Sequence, residues 1–164
     1  MSDLILPPDA GQTVWIGGIG VQFKLDDTHT QGAFSVVEHP LESGAFAAPH
    51  THSREDEFSY VLVGTIGVML GDQEFTASRG AYIVKPRGIP HSFWNPGPET
   101  ARLLEIIAPA GFERYFVHLA SVLNKNGPPD QEALAKLDTE YGMTYHWEQV
   151  PALVAKYGLK VPGQ

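Results

Sequence analysis

Short apolar and alternating segments fill the chain before Gly111, and glycine and proline separate them at close intervals. Segments of this kind, closed by turn residues such as Gly71-Asp72, are typical of β-strands joined by tight turns. Strands are predicted at 13–16, 21–25, 34–39, 57–63, 65–70, 73–77, 81–84, 91–95 and 101–108. So many short strands predict a mainly β fold, either a sandwich or a barrel.

The strand predicted at 57–63 carries apolar residues on both of its faces. Phe58, Tyr60 and Leu62 share one face, because side chains alternate along a strand, and Val61 and Val63 lie on the other. A segment that is apolar on both faces is typical of a fully buried strand. We therefore expect this strand to be covered on both sides.

The periodicity changes at Gly111, where apolar residues begin to recur at helical spacing. This spacing predicts helices at 112–123, 130–141 and 147–157, and Gly142 follows the second as a helix-ending residue. The chain is therefore divided into a β-barrel with an N-terminal arm at 1–110 and a helical extension at 111–164. Because the helices have apolar faces, we expect the extension to pack on the barrel or on a partner subunit.

Histidine and glutamate recur in a pattern that suits a metal site. His50 and His52 are two residues apart, which places them on the same face of a strand. The polar run at 53–56 predicts a bend, so that Glu57 begins the next strand, and His91 follows a loop rich in proline and glycine. Three neutral imidazoles and a carboxylate form a ligand set for a divalent transition metal.

These residues lie within two motifs that resemble the signature motifs of the cupin superfamily. The first motif runs over 44–64 and the second over 80–95, and no signature position is substituted in either. The resemblance implies a cupin double-stranded β-helix, which is a jelly-roll barrel, followed here by C-terminal helices. It also implies that His50, His52, Glu57 and His91 are the metal ligands. More narrowly, the chain is similar to small bacterial proteins of the quercetin 2,3-dioxygenase-like group.

From this resemblance we expect a metal-dependent dioxygenase, an oxidoreductase that acts on a small oxygen-rich substrate such as an enol or a flavonol. Glu57 is the candidate catalytic base, and the cofactor is one divalent ion of Fe, Ni, Mn, Cu or Zn. Two other interpretations remain open. The protein could be an isomerase or lyase that uses the metal as a Lewis acid, or a non-catalytic cupin that binds a small molecule.

Five apolar residues of the predicted strands and turns are candidates for the wall of a substrate pocket: Phe34, Val36, Phe46, Phe93 and Ile106. Residues of these types more often form a barrel core, and both roles stay open. The isolated histidines, among them His39, are assigned surface or structural roles. Glu55 and Asp56 are assigned to a solvated loop.

Composition limits the partners. The 164-residue chain suits one domain, and its net charge of −8 argues against nucleic acid and anionic membranes as partners. No cysteine is present, which excludes disulfides, and no leader-like or membrane-spanning apolar segment is apparent, so we expect a cytoplasmic protein. The apolar arm at 4–6, the helices and the sheet edges leave surplus apolar surface, which predicts a homodimer.

Overall fold

The computed structural model describes residues 5–123 and 127–161, so Leu4 of the predicted arm lies outside the described residues. Two antiparallel sheets form a jelly-roll barrel, which confirms the predicted cupin fold. The strands are β1 (Thr13–Ile16), β2 (Ile19–Leu25), β3 (Ser35–Leu41), β4 (Phe46–His52), β5 (Asp56–Val63), β6 (Thr65–Leu70), β7 (Gln73–Ser78), β8 (Tyr82–Lys85), β9 (His91–Trp94), β10 (Ala101–Ala108) and β11 (Met143–Tyr145). The helices are α1 (Asp27–Thr30), α2 (Glu113–Leu123), α3 (Gln131–Tyr141) and α4 (Val150–Tyr157), the last preceded by a 3-10 turn at Trp147–Gln149.

The strands are ordered β1-β2-β3-β10-β5-β8 in the first sheet and β11-β4-β9-β6-β7 in the second. Their inner faces meet in a core to which both sheets contribute, with Val61 and Leu103 from the first and Ile66 and Phe93 from the second. No helix within the described ranges has both the length and the apolarity needed to cross a membrane.

Strand β3 extends through Pro40, although proline was expected to end it. Pro40 has no N–H to donate to a sheet, and here it faces Gly20 of the neighbouring strand β2. A Cβ atom on Gly20 would lie 2.6 Å from Cγ of Pro40, so the glycine makes room for the proline ring. The strand can therefore pass the proline and pair with β10 as far as Leu41.

Strand β5 is buried on one face only, so the prediction that it is covered on both sides was wrong. Glu57, Ser59 and Val61 point into the barrel, whereas Phe58, on the opposite face, is 40% exposed. The sequence was misleading because the inner face carries the polar residues of the site and the outer face carries aromatic ones. The usual rule that apolar residues lie inside is reversed at this strand.

The C-terminal helices pack on their own barrel. Phe112, Tyr115 and Leu119 of the α2 region join Val37 and Ile107 of the first sheet in a second apolar cluster. Helix α4 covers the outer face of the second sheet. It buries Trp94, whose ring lies 4.5 Å from that of Tyr157. The predicted boundary between 1–110 and 111–164 stays a prediction, but the described part of the extension is part of the barrel's cover.

Strand β11 joins the C-terminal segment to the second sheet. It pairs antiparallel with β4, with Met143 opposite His52 and Tyr145 opposite His50. This strand was not predicted, because three residues carry too little periodicity to stand out. The pairing places residues that are far apart in the sequence beside the strand that bears two of the potential ligands.

Candidate metal centre

Four potential ligands lie together inside the barrel. His50 and His52 come from β4, Glu57 from β5 and His91 from β9, and one ligand atom of each lies within 4.8 Å of the others. His50 and His91 are directly opposite each other in the sheet. The bend after β4 returns the chain so that Nε2 of His52 lies 3.3 Å from Oε1 of Glu57. The structure thus brings together all four predicted residues, and all four are buried.

The imidazole rings are turned so that Nε2 faces the centre of the group. Nδ1 of His50 lies 2.7 Å from the carbonyl oxygen of Ala48, and Nδ1 of His91 lies 3.0 Å from that of Ile89. A carbonyl oxygen only accepts, so both rings carry their proton on Nδ1. Such contacts fix the tautomer and the orientation of metal-binding histidines.

The atoms that face the centre lack hydrogen-bond partners. Nε2 of His52, Nε2 of His91 and Oε2 of Glu57 are buried without any hydrogen bond of acceptable geometry, although Oε2 lies 3.1 Å from Nε2 of His91 and 2.9 Å from the ammonium group of Lys85. Buried polar atoms are rarely left unsatisfied, and each such group needs an explanation. A divalent ion bound between these atoms would satisfy all of them, so the residues present fit a metal.

Burial and neighbouring charge set the protonation of the group. Burial lowers the pKa values of His50 and His91, so both rings are neutral at neutral pH, which is the form that binds a metal. Burial also opposes charge on His52 and is the largest single influence, but the carboxylates of Glu57 and Glu55 together outweigh it and raise the pKa of His52 to about 9. Burial likewise opposes the charge of Glu57, yet Lys85 and His52 hold the pKa of this carboxyl well below its usual value.

A buried lysine contacts the potential ligand Glu57. Nζ of Lys85, which is 1% exposed, lies 2.9 Å from Oε2 of Glu57 and 2.7 Å from Oε2 of Glu105. Ser59 donates to the other oxygen of Glu105 at 2.9 Å. Sequence reasoning missed these residues. The available signal was a charged residue within each of two mostly apolar strands, Lys85 in β8 and Glu105 in β10, although β10 also carries Arg102.

Glu55 is buried, so its assignment to a solvated loop was wrong. The side chain folds back over the bend, and Oε2 lies 3.7 Å from Nδ1 of His52. The Glu55 carboxylate thus lies on the Nδ1 side of the His52 ring. The Nδ1 atoms of His50 and His91 have backbone carbonyl oxygens in the corresponding position. Asp56 does remain near the surface, where it accepts hydrogen bonds from Nε and Nη2 of Arg87 at 3.1 and 2.7 Å.

A cavity of about 500 Å³ opens beside the group and reaches His50, His52 and Glu57. The barrel provides one wall, while α2, α3 and β11 provide the other. The lining is largely apolar, and none of the described residues that line the cavity is a lysine or an arginine. An enclosed apolar space with a few polar groups is typical of a small-molecule site.

The five predicted pocket residues divide between the two faces of the sheets. Phe46 and Phe93 line the cavity. Val36 and Ile106 were predicted wrongly, because they lie opposite each other on the outer face of the first sheet. Both strands carry apolar and polar residues on each face, and a shift of one residue exchanges the inside for the outside. Phe34 precedes β3, is partly exposed and does not line the cavity either.

His39 is a cavity residue that sequence reasoning placed elsewhere. It points inward from β3, is buried and lies between the rings of Phe93 and Phe116, with centroid distances of 5.8 and 5.6 Å. Its Nδ1 lies 3.0 Å from the carbonyl oxygen of Gly20. The inward position could not be read from the sequence, since His39 and its neighbour Glu38 were equally plausible as the inner residue.

Residues 37–107 match a family described as the cupin domain. No curated protein matches the chain. The fold is similar to KdgF from Halomonas sp., with a TM-score of 0.59 and 18% identity over 67% of this chain and 96% of that one. It is also similar to a predicted oxalate decarboxylase from Thermotoga maritima, with a TM-score of 0.61 and 17% identity over 65% of this chain and 99% of that one.

A third similar structure is a cupin-superfamily sugar phosphate isomerase from Silicibacter pomeroyi, with a TM-score of 0.55 and 23% identity over 63% of this chain and 74% of that one. At such identities, likeness between structures shows a shared fold. Two of the three proteins carry activities in their names, and these activities differ, so the chemistry of this chain has to be argued from its own residues.

Proposed function

Residues 37–107 of this chain are a cupin domain, and on that basis we propose that the protein is a metal-dependent dioxygenase acting on a small, oxygen-rich enol or flavonol-like substrate. One observation carries the proposal. Unsatisfied ligand atoms of His52, Glu57 and His91 gather at a centre bordering a largely apolar cavity of about 500 Å³.

His50, His52, Glu57 and His91 would hold one divalent ion of Fe, Ni, Mn, Cu or Zn. When bound, any of these ions would supply Lewis acidity, and a redox-active one would also supply a path for electrons between substrate and dioxygen. The cavity would bind the apolar frame of the substrate and keep bulk water away from it.

Glu57 would accept a proton from the substrate. Because Lys85 and His52 keep its pKa low, Glu57 is a carboxylate at neutral pH but a weak base. Proton transfer is efficient only when donor and acceptor are matched in pKa. An enol or phenol hydroxyl is a better match than an aliphatic alcohol, which supports the proposed substrate class.

Oxygen consumption tests the proposal. The metal-loaded protein should consume oxygen with 3-hydroxyflavone, a flavonol, and a Glu57→Gln variant that retains metal should lose this activity. Lack of oxygen uptake with flavonols and other enols, in preparations that contain each of the five candidate metals, would contradict it. Binding of the flavonol without any turnover would indicate the non-catalytic alternative.

The alternative of an isomerase or lyase is favoured by one specific observation. Lys85 and Glu105 form a second pair of proton-carrying groups beside Glu57, and reactions that only move protons or break carbon–carbon bonds require no oxygen. The sugar phosphate isomerase and the predicted oxalate decarboxylase with this fold carry such activities in their names. Turnover that continues under nitrogen would favour this alternative.

We also propose a homodimer, but through a different surface from the one expected. Tyr115 of α2 is buried and Phe116 is partly buried within the chain, so they offer little surplus surface. The outer face of the first sheet offers more: Phe58, Tyr82 and Val84 are adjacent on β5 and the edge strand β8, and Tyr82 is 80% exposed. A second copy paired across this face would cover them.

Light scattering decides the oligomeric state. A mass near twice the 17.9 kDa of the chain is expected, and a Tyr82→Glu substitution should reduce it to that of one chain. Trp147→Glu is the matched control, because Trp147 is 63% exposed on the C-terminal segment. A wild-type mass of about 17.9 kDa would exclude the dimer.

A further inference from the structure

The C-terminal segment contributes a chain of three polar groups to the cavity wall. Oη of Tyr115, on α2, lies 2.9 Å from Oδ1 of Asp138, on α3, and 2.9 Å from Oη of Tyr145, on β11. All three residues line the cavity. They lie outside the matched region 37–107 and belong to none of the four potential ligands.

The direction of these hydrogen bonds can be derived from the number of protons. Tyr115 has a single hydroxyl proton, which it donates to the Asp138 carboxylate. The contact between the two tyrosines must then use the proton of Tyr145. Burial raises the pKa of the Tyr145 hydroxyl to about 12, so the group stays neutral. Tyr145 therefore has no proton left for a ligand and can only accept a hydrogen bond from one.

Tyr145 stands beside the candidate metal centre. It is directly opposite His50 in the pairing of β11 with β4, and their ring centroids lie 5.9 Å apart. Trp147 stacks on the ring of Tyr145, with a centroid distance of 4.8 Å and an angle of 17° between the planes. The acceptor is thus held in place by the sheet, by the stacking and by Tyr115.

His39 offers a second acceptor to the same cavity. Burial lowers the pKa of its imidazole to about 4, so the ring is neutral. Because Nδ1 donates to the carbonyl of Gly20, the proton is on that nitrogen and Nε2 carries a lone pair. Glu105, which also lines the cavity, accepts as well when ionised. None of the described lining residues is a lysine or an arginine, the side chains that most often bind a phosphate or a small dicarboxylate.

We propose that Tyr145, oriented by Tyr115 and Asp138, is a specificity-determining acceptor, and that with His39 it makes the cavity a site for neutral ligands that carry hydroxyl donors on an apolar ring. Small anionic acids and sugar phosphates are disfavoured. The inference rests on the proposed function in one respect, since it takes the cavity as the substrate site.

The test compares two flavonols that share the 3-hydroxyl expected at Glu57 and differ only in a second hydroxyl donor, 3,4′-dihydroxyflavone and 3-hydroxy-4′-methoxyflavone. Binding of each is measured by fluorescence titration under nitrogen, with the full-length zinc-loaded protein, so that no oxidation occurs. The same zinc ion is present in every variant, so its contribution to the ratio of the two affinities cancels when variants are compared. Tyr145→Phe should therefore lower the ratio of the two affinities about tenfold relative to wild type, which is the size expected for one lost hydrogen bond.

Tyr115→Phe has a distinct signature. Without Tyr115 as its acceptor, Tyr145 regains a free proton, so the methyl ether should bind more tightly than it does to wild type. Tyr141→Phe is the matched control, because Tyr141 lies on α3 but does not line the cavity, and it should leave the ratio unchanged. Thermal unfolding verifies that each variant, which lacks one oxygen atom, is folded.

Three results would overturn the inference: an unchanged ratio in Tyr145→Phe, failure of wild type to bind either flavone, and binding of oxalate or glucose 6-phosphate in preference to the flavones. Its failure differs from that of the proposed function. A protein that selects the dihydroxyflavone through Tyr145 but consumes no oxygen would keep the inference and lose the dioxygenase. Oxygen uptake by wild type, together with an unchanged affinity ratio in Tyr145→Phe, would keep the dioxygenase and overturn the inference.

Discussion

Replacing Lys85 by methionine tests the electrostatics of the barrel interior. Methionine keeps an unbranched side chain but removes the charge that lies 2.9 Å from Glu57 and 2.7 Å from Glu105. In the metal-free protein this leaves the buried carboxylate of Glu105 without a cation and that of Glu57 with His52 alone. Removing one partner of a buried ion pair costs about 3–5 kcal/mol, so we expect the free energy of unfolding to fall by that amount.

Metal should reduce the loss. A bound divalent ion would compensate Glu57, so that only Glu105 remains without a cation. If about half of the cost remains, the substitution lowers the free energy of unfolding by about 2 kcal/mol less in the metal-loaded protein than in the metal-free protein. By linkage, the variant then binds the metal about 30-fold more tightly than wild type does. The variant is therefore expected to be less stable and yet to bind the metal more tightly.

Urea unfolding with and without zinc gives both free energies, and titration against a chelating dye gives the affinity. Adding Glu105→Gln to the Lys85→Met variant should restore most of the stability, because it removes the uncompensated charge of Glu105. Lys156→Met is the surface control, since its partner Glu74 is exposed to solvent, and its effect should stay within about 0.5 kcal/mol. A metal-free loss below about 1 kcal/mol, or weaker metal binding, would refute the reasoning.

Three further predictions concern the ligands, the core and pH. His91→Ala should lower metal content by elemental analysis, and normal metal content would remove His91 from the ligand set. Leu103→Ala, at a fully buried position, should cost about 2–5 kcal/mol in urea unfolding, whereas Leu104→Ala on the outer face should cost much less; equal losses would contradict the assignment of faces. Because burial lowers the pKa of His39 to about 4 from 6.5, the unfolded chain binds a proton that the folded chain does not, and stability should fall by about 3 kcal/mol as the pH drops through this window. His39→Gln should flatten this part of the pH profile, and an unchanged profile would contradict the buried neutral imidazole.

The positions of the four potential ligands could be predicted because local rules determine them. The period of two in β4, the bend after it and the loop before His91 each depend on a few neighbouring residues. The paired strands then bring these short segments together without further information.

The inner polar residues could not be predicted in the same way. Lys85 and Glu105 stabilise each other across two strands that are not neighbours in sequence, and a charged residue looks exposed until its partner is known. The same uncertainty reversed the faces of Val36 and Ile106, because each face of β3 and of β10 carries both apolar and polar residues. The hydrogen bonds that join Asp138, Tyr115 and Tyr145 connect three separate elements, and the sequence of one element does not indicate its partners in the other two.

The pairing of β11 with β4 affects when the site can form during synthesis. Among the described strands, β11 is the outermost of its sheet, so before it is made β4 would be an unpaired edge. The strand that carries His50 and His52 can reach its final surroundings only after Tyr145 has left the ribosome. We therefore expect nascent chains that end before Met143 to capture metal poorly and to aggregate through the open edge. Metal acquisition would then follow the synthesis of β11.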